Sequence, residues 1–176
     1  MRPVAQFAAI GVAAVIVVAA VTTAASRRIG EREAINDART TTADRADTVV
    51  APVVTDGLVT RDPAAVAAVA DAVEHKVVDP SLVRVKVWTA GGTIVYSNDS
   101  TLEGRTFVLG ADEREALRGG QTIADVSDLT KPENQHERSF GKLLEVYVPI
   151  STPGGKPLLF EAYYRYAVVS RAGRHI

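Results

Sequence analysis

The chain has no cysteine among its 176 residues. This absence excludes disulfide bonds, thiolate metal ligands, cysteine nucleophiles and the acylated cysteine of a lipoprotein. An excess of charge of either sign is lacking as well, because 20 Lys and Arg are interleaved with 21 Asp and Glu. Without a basic face or an arginine-rich arm, the chain is not expected to bind nucleic acid. Its length accommodates one domain and an anchor.

Charged residues are also missing from residues 3–26. Residues 4–25 are almost purely aliphatic, and at about 1.5 Å rise per residue a helix of this length crosses a hydrocarbon core of roughly 30 Å. We therefore expect residues 1–26 to be a transmembrane anchor with the lipid bilayer as partner. A cleaved signal peptide is the alternative, because Arg2 gives a positive N-terminus and residues 22–26 are small. A buried helix of a soluble protein is disfavoured, since such helices are rarely apolar all round.

The charges that flank this segment do not fix its orientation. Arg27 and Arg28 follow it and favour a cytoplasmic position for the rest of the chain under the positive-inside rule. Arg2 and the terminal amine favour the opposite orientation. Charge alone therefore leaves the side of the membrane undecided.

Two helices are predicted after the apolar segment. Residues 27–56 carry an apolar stripe at spacings of three and four, which is typical of one helix face. The stripe consists of Ile35, Ala38, Thr42, Ala46, Val49 and Val53. It either packs against the chain's own sheet or forms the seam of a homodimer. Asp62 and Pro63 then predict the start of a second helix, as cap and first helical residue, and this helix ends near Lys76.

Alternation of apolar and polar residues predicts five strands. They are residues 82–89, 93–97, 121–127, 142–150 and 157–166. Gly91 and Gly92 predict a tight turn between the first two strands, which makes them a hairpin. A short helix at residues 111–117 separates the second strand from the third. The fold class is therefore α+β, with two helices before one five-stranded antiparallel sheet.

Several segments resemble extracytoplasmic Cache domains, which have a PAS-like sheet preceded by a long helix. The hairpin of residues 83–97, followed by Gly104, is similar to their central hairpin. Segments 126–129, 140–149 and 158–163 resemble the sensor region of actinobacterial two-component sensor histidine kinases. The resemblance marks a type of sensor domain rather than a chemical site.

The resemblance extends from the apolar segment to about Tyr166 and implies four regions. They are a transmembrane anchor at 1–26, a juxtamembrane long helix at 27–60, a Cache-like sensor core at 61–166 and a tail at 167–176 before a second span. It also implies an N-terminus inside the cell and a sensor core outside, in a single-pass protein of the cell membrane.

Histidine kinases of this family carry a second span, a phosphoacceptor helix pair and an ATP-binding domain after the sensor. The sequence has neither a phosphoacceptor motif nor a glycine-rich nucleotide-binding loop. The resemblance therefore implies a signal-input domain in a truncated chain that lacks the catalytic transmitter, and not an enzyme. The alternative is a secreted or anchored structural protein of the cell envelope without a sensing role.

Few residues indicate catalysis or metal binding. His75, His136 and His175 lie far apart, and none has a second ligand at the spacing of a metal site. No serine stands in a recognisable nucleophile motif. We therefore expect neither a metal, nor a cofactor, nor a catalytic group.

Two glutamates lie on adjacent predicted strands, on the faces opposite the aliphatic stripes. Glu145 and Glu161 could form an acid pair suited to general acid–base chemistry. We expect instead that they pair with Arg84 or Arg165 across the sheet.

A site for a small-molecule ligand has more support than a catalytic one. PAS-like sheets can enclose a ligand between one face and the surrounding loops, and an aromatic wall with a few polar groups suits such a site. The candidate residues are Arg84, Trp88, Tyr96, Tyr147 and Tyr163, together with the loop 128–139. Arginine would suit a carboxylate ligand. The alternative is that these side chains only cover the outer face of the sheet.

Overall fold

The first helix, α1, runs without interruption from Arg2 to Arg45 in the computed structural model, which describes residues 2–127 and 129–172. The side chains of residues 2–10, 12–14, 27 and 172 are outside this description. A π-helical turn, Ala46–Val50, and a 3₁₀ turn, Ala51–Val53, continue the helix. The regular ladder stops there because Pro52 has no N–H to donate.

The predicted membrane segment lies in the first half of α1. Five of its aliphatic side chains are between 60 and 69% exposed: Val15, Ile16, Val17, Val18 and Val21. Across the part of the chain that the structure describes, no helix combines the length and the apolar character that a membrane span needs. Residues 4–10 and 12–14 of the segment have side chains outside the described residues. The anchor and the signal peptide both remain predictions.

Three further helices follow, α2 at Pro63–Lys76, α3 at Ala111–Gly119 and α4 at Tyr166–Ala172. The carboxylate of Asp62 accepts the N–H groups of Ala64 and Ala65, at 3.0 and 3.1 Å, and so caps α2. A cap of this kind typically stabilises a helix by about 1 kcal/mol. The predicted helix start is confirmed.

The sheet contains five strands, β1 at Leu82–Thr89, β2 at Ile94–Ser97, β3 at Ile123–Ser127, β4 at Leu143–Ser151 and β5 at Pro157–Arg165. Their order across the sheet is β2-β1-β5-β4-β3, and every neighbouring pair is antiparallel. The two C-terminal strands are therefore central, flanked by the β1–β2 hairpin and by β3. The predicted α+β class, with a long N-terminal helix and a five-stranded antiparallel sheet, is confirmed.

The face of the sheet that α1 and α2 cover, called here the inner face, holds the main core. Val85, Val87 and Phe160 are fully buried there, together with Ala46 from the helical side. Complete burial of one such aliphatic or aromatic side chain stabilises the fold by about 1.5–3 kcal/mol. The rest of the predicted apolar stripe is buried or partly buried against the same core. The stripe therefore packs against the chain's own sheet, and the homodimer seam stays a prediction.

The end of the chain differs from the prediction. The last strand stops at Arg165, one residue earlier than expected, and residues 166–172 form α4 where the sequence predicted a strand end and a tail. The run Tyr-Ala-Val-Val-Ser contains neither glycine nor proline, and α1 supplies an apolar surface on which it packs. Residues 173–176, which include the predicted His175, lie outside the described residues.

Two tyrosines fix α4 and the end of β5 against α1. The hydroxyls of Tyr164 and Thr42 share a hydrogen bond of 2.8 Å. The hydroxyl of Tyr166 donates to the carboxylate of Glu31. Tyr166 follows Tyr164 in the chain but contacts α1 nearer to its N-terminal end, so α4 runs back along α1.

The turn of the β1–β2 hairpin depends on one glycine. Gly92 has a φ of +82°, and a Cβ built there would lie 2.1 Å from the carbonyl oxygen of Phe107. We expect Gly92→Ala to lower the free energy of unfolding by about 2 kcal/mol, because it adds both backbone strain and a clash. Chemical denaturation measures this change.

Gly91→Ala is the matched control for that substitution. A Cβ at Gly91 meets only the Thr89 hydroxyl, at 3.7 Å, which is an ordinary contact. We expect its effect to stay within about 0.5 kcal/mol. Equal effects of the two substitutions would contradict the assigned turn geometry.

Candidate ligand site on the outer face of the sheet

The face of the sheet opposite α1, called here the outer face, carries charged and aromatic side chains. Because side chains alternate along a strand, every second residue of the long strands points to this side. These residues are Arg84, Lys86 and Trp88 of β1, Glu145 and Tyr147 of β4, and Glu161 and Tyr163 of β5. All except Arg84 are at most 2% exposed. So much buried charge on a sheet face is unusual and calls for a structural or functional reason.

Loop residues 129–142 cover this face and shield it from water. The loop contains two 3₁₀ turns, Pro132–Asn134 and Arg138–Phe140, and it buries the side chains of Asn134 and Glu137 against the sheet. Asp128, at the start of the predicted candidate loop, lies outside the described residues. The buried network consists of Lys86, Trp88, Asn134, Glu137, Glu145, Tyr147, Glu161 and Tyr163.

Lys86 lies at the centre of the buried network. Its Nζ donates to the carbonyl oxygen of Glu133 at 3.2 Å, to Oδ1 of Asn134 at 2.9 Å and to the hydroxyl oxygen of Tyr163 at 2.8 Å. The same nitrogen lies 4.4 Å from the centre of the Tyr163 ring and 5.8 Å from that of Trp88. All three ammonium protons therefore have acceptors, and two aromatic rings add cation–π attraction.

Glu161 accepts hydrogen bonds from both of these aromatic residues. The indole N–H of Trp88 donates to Oε2, and the Tyr163 hydroxyl lies 2.7 Å from Oε1. Burial raises the pKa of Glu161 to about 7, the charge of Lys86 acts to lower it, and the charge of Glu145 raises it further. A carboxyl group with this pKa gains and loses a proton near neutral pH.

Glu145 lies beside Glu161 on the neighbouring strand. Its Oε1 accepts from Nδ2 of Asn134 at 2.9 Å, and its other oxygen accepts from the hydroxyl of Tyr147. Burial raises its pKa as well, against the hydrogen bond from Tyr147, which lowers it. The two glutamates therefore form one interacting pair of buried acids.

The predicted pairing of these glutamates with arginines is wrong. Arg84 forms its ion pairs with Glu137, at 2.5 Å, and with Asp99, at 3.4 Å. The guanidinium of Arg165 lies over the ring of Phe140, 4.9 Å from its centre. The two acids that pair with Arg84 lie outside the strands, so strand alternation could not identify them.

Lys131 and Glu113 form one edge of the site. Nζ of Lys131 donates to Oε1 of Glu113 at 2.6 Å and to the hydroxyl of Tyr147 at 3.3 Å. Burial acts to lower the pKa of Lys131, but the hydrogen bond and charge of Glu113 outweigh burial, so the pKa is raised. This ion pair ties α3 to the loop and to β4.

Four of the five predicted site residues come together on the outer face. Trp88, Tyr147 and Tyr163 are buried in the network, and Arg84 lies at its border. That these residues bind a ligand stays a prediction.

Tyr96 does not join the other four, which corrects the predicted set. Tyr96 pairs with Val87 while Ile94 pairs with Trp88, so Val95 is an extra residue in β2. This bulge reverses the alternation and turns Tyr96 to the inner face. Its buried hydroxyl has no hydrogen-bond partner within the described part of the chain, and burial raises its pKa to about 12.

Several residues of the site were not predicted from the sequence. Lys86 stands between the predicted Arg84 and Trp88, and strand alternation places all three on one face, so a signal for it was present. Asn134 and Glu137 lie in a polar loop without periodicity. Their burial follows from the path of the loop, for which the sequence carries no signal.

The sequence matches no protein-family model and no curated protein. Two solved structures share its architecture. The sensor domain of Escherichia coli DcuS has a TM-score of 0.52 and 16% identity, over 82% of this chain and 97% of that domain. An extracellular ligand-binding receptor from Desulfohalobium retbaense has a TM-score of 0.54 and 14% identity, over 84% of this chain and 27% of the receptor.

The chain has a sensor-domain fold. At these levels of identity the comparison establishes the arrangement of helices and strands and nothing about the ligand. Within that fold, the buried network is the place where titratable, aromatic and cationic groups converge under a loop. This convergence makes the outer face the candidate ligand site.

Proposed function

We propose that this chain is an extracytoplasmic sensor domain, anchored in the membrane, that binds a small polar ligand on the outer face of its sheet. The observation that carries the proposal is the buried network itself. Isolating charged groups from water costs several kcal/mol per ion, and apolar residues of similar volume would stabilise the fold better. A network of this kind is therefore better explained by recognition than by stability.

The ligand proposal predicts different roles for two buried tyrosines. A screen of small polar metabolites against the full-length chain, with thermal unfolding as readout, should find a compound that raises the midpoint temperature. Tyr163→Phe removes a hydroxyl of the buried network and should weaken the affinity for that compound about tenfold or more. Tyr96→Phe is the matched control, because it removes an unpartnered hydroxyl from the opposite face. Equal effects of both substitutions would count against the site.

The anchor at residues 4–25 and the outside location are part of the same proposal. Their support is the uncharged length of the segment, which lies within the long helix α1, and the resemblance to sensor kinase input domains. A reporter enzyme that is active only outside the cytoplasm, fused after residue 60, should be active. Activity confined to a cytoplasmic reporter at the same position would contradict the proposed orientation.

We infer that β5 carries the signal from the site toward the membrane. Glu161 and Tyr163 face the buried network, and the same strand continues through Tyr164 into α4, which packs along α1. A ligand that moves Glu161 or Tyr163 would shift α4 against α1. In a sensor of the two-component type, this displacement would be the input to a kinase.

A further inference from the structure

The ammonium group of Lys86 lies in a closed compartment that has the composition of an amine-binding site. The ammonium box consists of the groups around this nitrogen, which belong to Trp88, Glu133, Asn134, Glu137 and Tyr163. It offers three hydrogen-bond acceptors, two aromatic rings and one carboxylate. Acceptors and aromatic rings of this kind recognise a primary ammonium, which has three protons and no lone pair.

The ammonium box keeps unused acceptor capacity. Glu137 is fully buried, and its Oε1 accepts from Nε of Arg84. Its Oε2 has no hydrogen-bond partner within the described part of the chain and lies 4.0 Å from Nζ of Lys86. A buried carboxylate oxygen without a partner is costly and rare. It lies where a second donor, or a better placed ammonium group, would satisfy it.

The charges around the box are also unbalanced toward acid. Five glutamates of this region are buried, Glu113, Glu133, Glu137, Glu145 and Glu161, against three cations, Arg84, Lys86 and Lys131. Glu161 is fully charged only above its pKa of about 7, and the other acids outnumber the cations without it. An additional cation would be stabilised here, whereas a carboxylate ligand would find each cation already beside an acidic side chain. This argues against the carboxylate ligand that Arg84 alone suggested, because Arg84 is already paired with two acids.

We propose that the ammonium box recognises the primary ammonium group of a small ligand and that Lys86 occupies it as an internal substitute in the unliganded protein. This inference rests on the proposed ligand-binding function and names its ligand class. A ligand binds when the flexible Lys86 side chain leaves the box. Because Lys86 competes for the box, the apparent affinity is the intrinsic affinity multiplied by the fraction of molecules in which the box is free.

The test uses Lys86→Ala in the full-length chain, with n-propylammonium as probe and isothermal titration calorimetry as readout. The probe replaces the three methylenes and the ammonium that the substitution removes. We expect it to bind the variant at least about tenfold more tightly than the wild type, because the competing lysine is gone. Propionate and n-propanol, of similar size, should bind neither protein. Lys156→Ala, at an exposed lysine, should behave as the wild type.

Lys86→Met covers the case in which the alanine variant does not fold. Methionine keeps the apolar stem and ends one atom short of Nζ, so the ammonium ion, which replaces only the missing nitrogen, should bind this variant about tenfold more tightly than the wild type. Adding Glu137→Gln to either variant should weaken amine binding about tenfold, since it removes the carboxylate nearest to the ammonium.

Two results would overturn the inference. One is a Lys86 variant that binds its matched probe no more tightly than the wild type does, n-propylammonium for Lys86→Ala and ammonium for Lys86→Met. The other is a wild type that binds propionate and loses that binding in Lys86→Ala, which would make Lys86 a contact for an anionic ligand and would leave the ligand-binding function in place. Tight amine binding by the variants, without any ligand in the metabolite screen, would instead count against the sensor function alone.

Discussion

Replacing Asn134 with alanine should lower the free energy of unfolding by about 4 kcal/mol, the largest effect we expect from one substitution. Asn134 is fully buried and joins loop residues 129–142 to three strands. Its Oδ1 accepts from Lys86 and lies 2.7 Å from the Tyr163 hydroxyl, while its Nδ2 donates to Glu145. Alanine leaves these buried polar groups without partners, and each loss costs roughly 1–3 kcal/mol.

Gln135→Ala is the control for that substitution. Gln135 directly follows the turn Pro132–Asn134 and is exposed, so its removal should change stability by no more than about 0.5 kcal/mol. Trp88 is the only tryptophan of the chain and belongs to the buried network, so its fluorescence reports denaturation at the site itself. A loss of less than about 1 kcal/mol in Asn134→Ala would mean that the loop is not held by this side chain.

The second large effect is a dependence of stability on pH that Glu161→Gln should remove. The pKa of Glu161 is raised from 4.5 to about 7 in the folded protein, mainly by burial. Between these values the folded state holds a proton that the unfolded state has released, so stability falls as pH rises. This difference in pKa lowers the free energy of unfolding by on the order of 3 kcal/mol at a pH well above 7, because one pKa unit corresponds to about 1.4 kcal/mol.

The hydrogen bonds of the network explain why glutamine fits at this position. The Tyr163 hydroxyl has one proton and lies 2.7 Å from both Asn134 Oδ1 and Glu161 Oε1. When Glu161 is protonated it donates to the Tyr163 oxygen, and Tyr163 donates to Asn134. The Nε2 amide group of glutamine donates in the same way, and its carbonyl oxygen accepts from Trp88.

Urea unfolding followed by Trp88 fluorescence, at a series of values from about pH 4.5 to about pH 8, measures this effect. The variant should be as stable as the wild type at the acidic end and more stable at the alkaline end. Taking the difference between the two proteins cancels the titration of shared groups that do not interact with Glu161, such as Asp99, whose pKa of about 2 affects stability only below this range. Glu145 is different, because its titration is coupled to that of Glu161 and so contributes to the difference. A constant difference across the whole range would show that Glu161 does not titrate there.

Strand alternation predicted most of the site because the outer face is a local consequence of β geometry. Arg84, Trp88, Tyr147 and Tyr163 share that face for this reason alone. Tyr96 was placed wrongly because one bulged residue reverses the alternation, and the sequence of β2 does not mark it. A bulge is selected by how two strands pair, which is a property of the pair and not of one segment.

Most elements of this protein follow from its sequence alone, since caps, turns and apolar periodicity act over a few residues, whereas α4 does not. The sequence placed the start of α2 at Asp62 and the hairpin at Gly92, and it gave the α+β class. Which loop closes over the outer face depends on the tertiary structure. The burial of Lys86 and Glu161 together follows from that loop. Burial and neighbouring charge set the pKa of a carboxyl group and the partners of an ammonium, and both depend on residues far apart in the chain.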